Sequence, residues 1–283
     1  MHYGINMENY GEKWRKAMQD WSGKYSQRTT DDSEECKFWH EFMKNRFEYH
    51  QDEYAKPIAA EMKKIILPYH PESILEIGPG WGNYTFDLAD ICNDMYCTDI
   101  SSDVLSYIQK IGNKKEKTIH TIESKWENYN AVSCDVVTAF NCFYRMIEIE
   151  NCLKKINDTA KKLCVIGMTS GPEQPYYKEM ERELNLKINY HKLDYIYLVN
   201  LLYQLGIDCC VKIIPLKKTY FFNSLHHASE QESRRILSGQ YTLTQLEQIL
   251  EKYLHQDLSG KYFYEHHFCG ALLYWEPQNK SKY

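Results

Sequence analysis

The most constraining feature of the chain is the run from Ser73 to Asp99. An apolar pentad, Ser73 to Ile77, meets three glycines in alternation (Gly78-Pro79-Gly80-Trp81-Gly82). A helical stretch follows, and a second apolar run, Met95 to Thr98, ends on the acid Asp99. Glycine turns the backbone at positive φ and leaves no Cβ between the chain and a bound molecule, so a glycine-rich turn between a strand and a helix suits a nucleotide-like ligand. The acid at the end of the next strand stands beside the same turn. A carboxylate there accepts both hydroxyls of a ribose and repels a phosphorylated one.

Two nucleotide motifs are excluded by spacing. A dinucleotide turn needs a third glycine two residues after the residue that follows the second, yet Gly82 arrives one position early and residue 83 is Asn. A phosphate-binding P-loop needs a Gly-Lys-Ser or Gly-Lys-Thr, which does not follow. An acid two residues before Gly-x-Gly-x-Gly, as in Glu76, Gly78, Gly80 and Gly82, resembles instead the first motif of class I S-adenosylmethionine-dependent methyltransferases. That resemblance implies a Rossmann-like, seven-stranded, mostly parallel sheet with an antiparallel last strand and helices on both faces. It implies that Glu76 belongs to the site for the cofactor's methionine amino end and that Gly78, Pro79, Gly80 and Gly82 let its homocysteine portion lie along the backbone. It makes Asp99 the ribose acid and places Ile100 against adenine. Glu123 is the nearest match to the acid that meets the adenine amino group, with Ser124 and Trp126 beside it. The resemblance covers about residues 70 to 276.

The rest of the core follows from periodicity. Apolar runs at 73–77, 94–98, 118–122, 134–141, 162–168, 210–216 and 267–275 predict strands. Amphipathic stretches near 83–91, 102–111, 147–160, 193–205 and 242–254 predict helices, and such alternation specifies a parallel sheet. Ser101, Ser102 and Asp103 supply a helix start. Residues 1–69 carry helical spacing (Trp14, Met18, Trp21; Phe38, Phe42) and are expected to form an N-terminal helical cap, with Tyr10, Trp14, Trp21 and Tyr25 over the cofactor cleft and a helix beginning at Ser33. Residues 70–283 form the core, with insertions at 171–192 and 223–261 expected to shape the acceptor pocket.

The fourth strand ends Asn141-Cys142-Phe143-Tyr144, which puts Asn141 and Tyr144 on the floor of the cleft as contacts for cofactor and transferred methyl. Asn141-x-x-Tyr144 partly resembles the Asn-Pro-Pro-Tyr motif of amino methyltransferases but lacks both prolines. Histidine has the pKa of a general base, and His191 and His227, in the insertions, join Tyr144 as catalytic candidates. Methyl transfer from a sulfonium requires no covalent nucleophile, in keeping with the lack of a recognisable triad or dyad.

Charge narrows the partners. With 34 Lys and Arg against 39 Asp and Glu the formal charge is −5, which argues against a nucleic-acid or anionic-lipid footprint and for a small-molecule acceptor. An RNA or protein methyltransferase and a non-catalytic S-adenosylmethionine-binding protein are the alternatives. The 10 cysteines include no Cys-x-x-Cys and sit mostly in apolar strands, as reduced thiols do. His226-His227 and His266-His267 lack ligands at metal spacing, so no metal is expected. No apolar leader or membrane span is recognisable, and the expectation is a cytoplasmic protein.

Overall fold

In the computed structural model, which describes residues 8–130, 132–190 and 193–278, four helices precede the first strand: α1 (Tyr10–Ala17), α2 (Gln27–Thr30), α3 (Asp32–Met43) and α4 (Ala55–Ile66). Asn9, Ser26 and Asp31 cap the first three, each side-chain oxygen accepting a first-turn N–H that the helix itself leaves unpaired. The start expected at Ser33 therefore lies at Asp31, whose side chain receives the N–H of Ser33.

Beyond His70, which takes a left-handed conformation, the elements alternate. They are β1 (Ser73–Ile77), α5 (Thr85–Leu88), β2 (Asp94–Asp99), α6 (Ser102–Lys114), β3 (Ile119–Glu123), β4 (Cys134–Phe140), α7 (Ile149–Thr159), β5 (Ala160–Ser170), α8 (Pro175–Leu184) and β6 (Lys187–Ile188). There follow α9 (Tyr195–Gln204), β7 (Cys210–Phe222), α10 (Leu225–Ser233), β8 (Ile236–Ser238), α11 (Leu243–Leu250), β9 (His255–Gln256) and β10 (Tyr262–Trp275). The main sheet has the order β3-β2-β1-β4-β5-β10-β7, with β9 on β10 as an eighth strand, and β6 pairs β8 separately. The seven expected strands are the seven of the continuous path. Pairs β1–β2, β1–β4, β2–β3 and β4–β5 are parallel, and β9–β10 is antiparallel.

The chain leaves β1 toward β2 and β3 on one side and returns to β4 and β5 on the other. Strand order thus reverses between β1 and β4, and in open α/β sheets that switch point opens a crevice at the strands' C-terminal ends. Alternation along β1 sends Leu75 and Ile77 to one face and Ile74 and Glu76 to the other. The first face packs with Val137, Ala139, Cys164 and Ile166 against Leu153 and Ile156 of α7, Leu198, Leu201 and Leu202 of α9, and Trp14 of α1. On the other face α5 approaches through Thr85, which bonds Glu76. Every residue of β4 is buried, as a central strand of a covered sheet requires.

Trp14 is fully buried, and its indole donates to the Met146 carbonyl at 2.8 Å. Truncating a side chain so placed costs about 3–5 kcal/mol, so α1 is core rather than a lid. Tyr10 lies edge-on to Tyr197 at 6.4 Å and Trp21 is exposed. The cleft-covering role expected of these residues belongs to α3 instead, as shown below.

The contacts divide the chain into two compact units: residues 1–169, 193–214 and 270–283, and residues 170–192 with 215–269. The N-terminal helices therefore share a unit with the sheet, and no boundary falls at residue 69. The two expected insertions merge into one body because they share a core of Tyr176, Tyr177, Met180, Ile188, Leu246 and Leu250. That body also takes in residues 215–222 and 262–269, since β7 and β10 run well past the apolar stretches that marked them in sequence. Among the described residues no helix is long and apolar enough to cross a membrane, and the cysteines form no disulfide.

Candidate functional site

The glycine turn leaves β1 with Gly78, Gly80 and Gly82 all at positive φ (64°, 55° and 86°), and the Gly78 N–H donates to the Thr98 carbonyl at 2.9 Å. The three have different reasons to be glycine. A Cβ on Gly78 would stand 2.7 Å from the Cys142 Cβ, and one on Gly82 would stand 2.5 Å from the Phe86 ring. Both are packing requirements, toward the end of β4 and toward α5. A Cβ on Gly80 would meet only Trp39 of α3, at 3.5 Å; Gly80 lies on open cleft.

Two carboxylates flank the turn. Glu76 is buried on β1 and accepts the Thr85 hydroxyl at 2.6 Å. Burial pushes its pKa up to about 7, against the lowering effect of that bond. Asp99 ends β2, where Oδ1 accepts the Ser101 N–H at 2.8 Å. Burial pushes its pKa up to about 6, with the charge of Glu35 adding to the shift and the Ser101 N–H opposing it. Ser101 in turn caps α6 through the Val104 N–H. Each carboxylate is thus held where ionisation is costly and few donors of the protein offset it.

The end of β4 supplies Asn141, at φ 54°. Its side-chain oxygen accepts the Thr169 N–H at 2.8 Å, which ties it to the end of β5. Tyr144 follows and donates its hydroxyl to Glu35 Oε1 at 2.5 Å. Glu35, fully buried on α3, also accepts from Arg28 Nε at 2.7 Å and from the Trp39 indole at 2.8 Å. Burial works to raise the pKa of Glu35, but the bonds from Arg28 and Tyr144 outweigh it and hold the group below its ordinary value. Tyr144 is driven far above the ordinary phenol range by burial and by Glu35. Its hydroxyl is held as a neutral donor to Glu35. Arg145 binds Asp32 through Nη2, while its buried Nη1 lies 3.9 Å from Glu35 and has no hydrogen-bond partner. A buried donor left unpaired costs about 1–3 kcal/mol, so this N–H marks a place for an acceptor atom.

Gly78, Gly80, Asp99, Asn141, Tyr144, Glu35 and Arg145 line two connected hollows that share Trp39, Gly78, Asp99, Cys142 and Tyr144. The smaller, about 70 Å³, is walled by Ile100, Ser124, Trp126 and Arg145. The larger, about 390 Å³, takes in Pro79, Gly80, Asn141 and a set of aromatic rings. Most of the cofactor-site candidates are therefore brought together, but Glu76, bonded to Thr85, and Gly82, packed on Phe86, lie outside both linings, and so does Glu123. It pairs with Asp99 across β2–β3, its side chain is exposed, and it is outside both linings; the chain turns at Ser124, which faces the cleft in its stead. Trp126 is buried with its indole donating to the Cys152 carbonyl at 3.2 Å. Of the histidines, His227 lies on α10 in the second unit, where its ring meets the Asn223 N–H and the Gln231 amide, and His191 lies outside the described residues. The Arg28–Glu35–Tyr144 network was not read from the sequence. A trace of it was present: a charged residue, Glu35, sits one turn before Trp39 on an otherwise aromatic helix stripe.

With this geometry in hand, comparison with known proteins is informative. A family model described as a methyltransferase domain matches residues 75–166, from β1 into β5. The fold resembles a proposed methyltransferase from Bacillus halodurans C-125 (14% identity, 78% of this chain and 99% of that one, TM-score 0.53). It also resembles the YcgJ protein of Bacillus subtilis (10% identity, 78% and 98%, TM-score 0.50). No curated protein sequence matches the chain. The match covers about a third of the chain, and beyond it the likeness to these solved structures is one of fold. The stretch similar to a methyltransferase domain is the one that carries the glycine turn, Asp99 and the β4 end.

Proposed function

We propose that the cleft binds S-adenosylmethionine and that the enzyme passes the methyl group to a small-molecule acceptor, leaving S-adenosylhomocysteine. One observation carries this reading: a buried carboxylate, Glu76, and a half-buried one, Asp99, lie at the C-terminal ends of neighbouring strands beside an open glycine turn, both with raised pKa. Such groups await donors and positive charge. The residues fit the cofactor. Asp99 has an oxygen to spare for ribose hydroxyls, Glu76 suits an ammonium group, and Gly80 leaves the cleft floor open. Ile100, Ser124 and Trp126 wall the side for adenine, and the unpaired Arg145 N–H offers a donor there.

When bound, the cofactor supplies an electrophilic methyl on a sulfonium. The protein's part is to align the acceptor lone pair and exclude water, which needs no side-chain nucleophile. Tyr144, locked as a donor to Glu35, braces α3 over the cleft and positions rather than reacts. The formal charge of −5 favours a small acceptor over a nucleic acid.

Calorimetric titration with S-adenosylmethionine and S-adenosylhomocysteine tests the first half; absence of binding to either overturns it. Methyl release on a cell extract tests the second, and binding without any turnover would instead support a non-catalytic binding protein.

A further inference from the structure

The larger hollow has a chemistry that the cofactor reading does not use. At its outer end Trp39, Phe42 and Trp81 stand with ring centroids 5.2 to 6.2 Å apart. Both indoles are pinned by their polar edges: the Trp39 N–H donates to Glu35 at 2.8 Å and the Trp81 N–H to Asn83 at 3.1 Å. Their faces are thereby fixed in advance, which lowers the entropy lost when a flat ligand stacks on them.

The amide and guanidinium groups nearby are already committed. Asn83 is buried, and its amide is shared between Asp52 and Trp81. Asn141 is bonded to Thr169, and the Arg28 charge is neutralised by Glu35. A sugar-like or polyhydroxylated acceptor would leave its own hydroxyls unpaired against such a wall, at a cost. A cationic acceptor is disfavoured for another reason. Arg46 stands 4.6 Å from the Phe42 centroid and 4.9 Å from that of Trp81, and Arg28 stands 3.4 Å from that of Phe38. Arg46 thus places a positive charge beside these rings, which repels a second cation but not a neutral ring.

Resting on the function proposed above, we infer that the methyl acceptor is a flat aromatic molecule without positive charge, stacked among Trp39, Phe42 and Trp81.

The test uses the full chain saturated with S-adenosylhomocysteine, with 2-naphthol as the flat uncharged probe and tetramethylammonium as the cation, each followed by the indole N–H resonances and tryptophan fluorescence. The expected result is saturable 2-naphthol binding, no comparable tetramethylammonium binding, and a loss of about ten-fold in 2-naphthol affinity for Phe42→Leu and Trp81→Leu, with S-adenosylhomocysteine affinity certifying that the variants are folded. The inference is overturned if tetramethylammonium binds as well as or better than 2-naphthol, if 2-naphthol does not bind, if both folded variants bind it like wild type, or if it displaces S-adenosylhomocysteine. The preference between the two probes in the wild type stands as a test even if the variants do not fold. Failure of S-adenosylhomocysteine itself to bind would remove the underlying reading and this one with it, a distinct result.

Discussion

Replacing Asp99 by Asn separates binding from folding, because the structure gives the two effects opposite signs. Asn keeps an oxygen for the Ser101 N–H, which Asp99 receives at 2.8 Å, but offers no second acceptor and no charge. Hydrogen bonds to a charged group contribute about 1.5–3 kcal/mol each. With one ribose bond lost and the other weakened, cofactor affinity should fall by about 2–4 kcal/mol, or roughly 30- to 1000-fold. For the ligand-free protein, burial raises the Asp99 pKa from 3.8 to about 6. A raised carboxylate pKa stabilises the fold fully below the unfolded value near 3.8, and that contribution is lost as pH rises through about 6. At pH 8 the ionised group is a burden of about 3 kcal/mol, which Asn removes. Asp99→Asn should therefore raise the thermal midpoint at pH 8 while weakening S-adenosylhomocysteine binding by calorimetry. Wild-type affinity should also decline below about pH 6, where the carboxylate must first give up its proton. Affinity within two-fold of wild type, or a midpoint and affinity that fall together, would refute the reasoning.

Gly80→Val should abolish cofactor binding with the circular dichroism of a folded protein, whereas Gly78→Ala should lower the thermal midpoint itself, since its Cβ would stand 2.7 Å from that of Cys142; equal effects of the two on folding would contradict the distinction. Arg145→Met should weaken S-adenosylhomocysteine binding by about 1–2 kcal/mol by removing the unpaired donor, while Asp32→Asn, which removes the Nη2 partner of Arg145 and a contact to Lys125 but leaves Nη1 in place, should leave it nearly unchanged in the same titration. Tyr144→Phe should cost about 1–2 kcal/mol of stability in denaturant unfolding, because Glu35 loses the donor at 2.5 Å. Once an acceptor is known, that variant should keep the wild-type pH–rate profile, and a vanished limb would make Tyr144 an acid or base after all.

What was legible in the sequence is what short-range chemistry controls. The core strands appear as apolar runs because each is buried by its sheet neighbours wherever the sheet sits, and the class of site follows from Glu76, the three glycines and Asp99, which lie within 24 consecutive residues. The strand ends were less legible: β7 and β10 continue through mixed residues such as Lys217–Phe222 and Tyr262–His267, whose half-buried surroundings leave no clean period. The direction of a side chain at a strand end was not legible either. Glu123 and Ser124 are adjacent, and only the turn after β3 decides which one faces the cleft.

By itself, then, the sequence determined the alternating α/β core, the glycine turn and the carboxylate that closes it, since each depends on residues a few positions apart. Only the tertiary structure decided that Trp14 is core while α3 covers the cleft, that Gly78 answers to Cys142 and Gly82 to Phe86, and that 170–192 joins 215–269 in a single body. It alone joined Arg28 and Glu35 to Tyr144, more than a hundred residues away along the chain. A buried carboxylate stays ionised, as Glu35 does, only when donors surround it, and no local pattern records a partner that folding brings from so far.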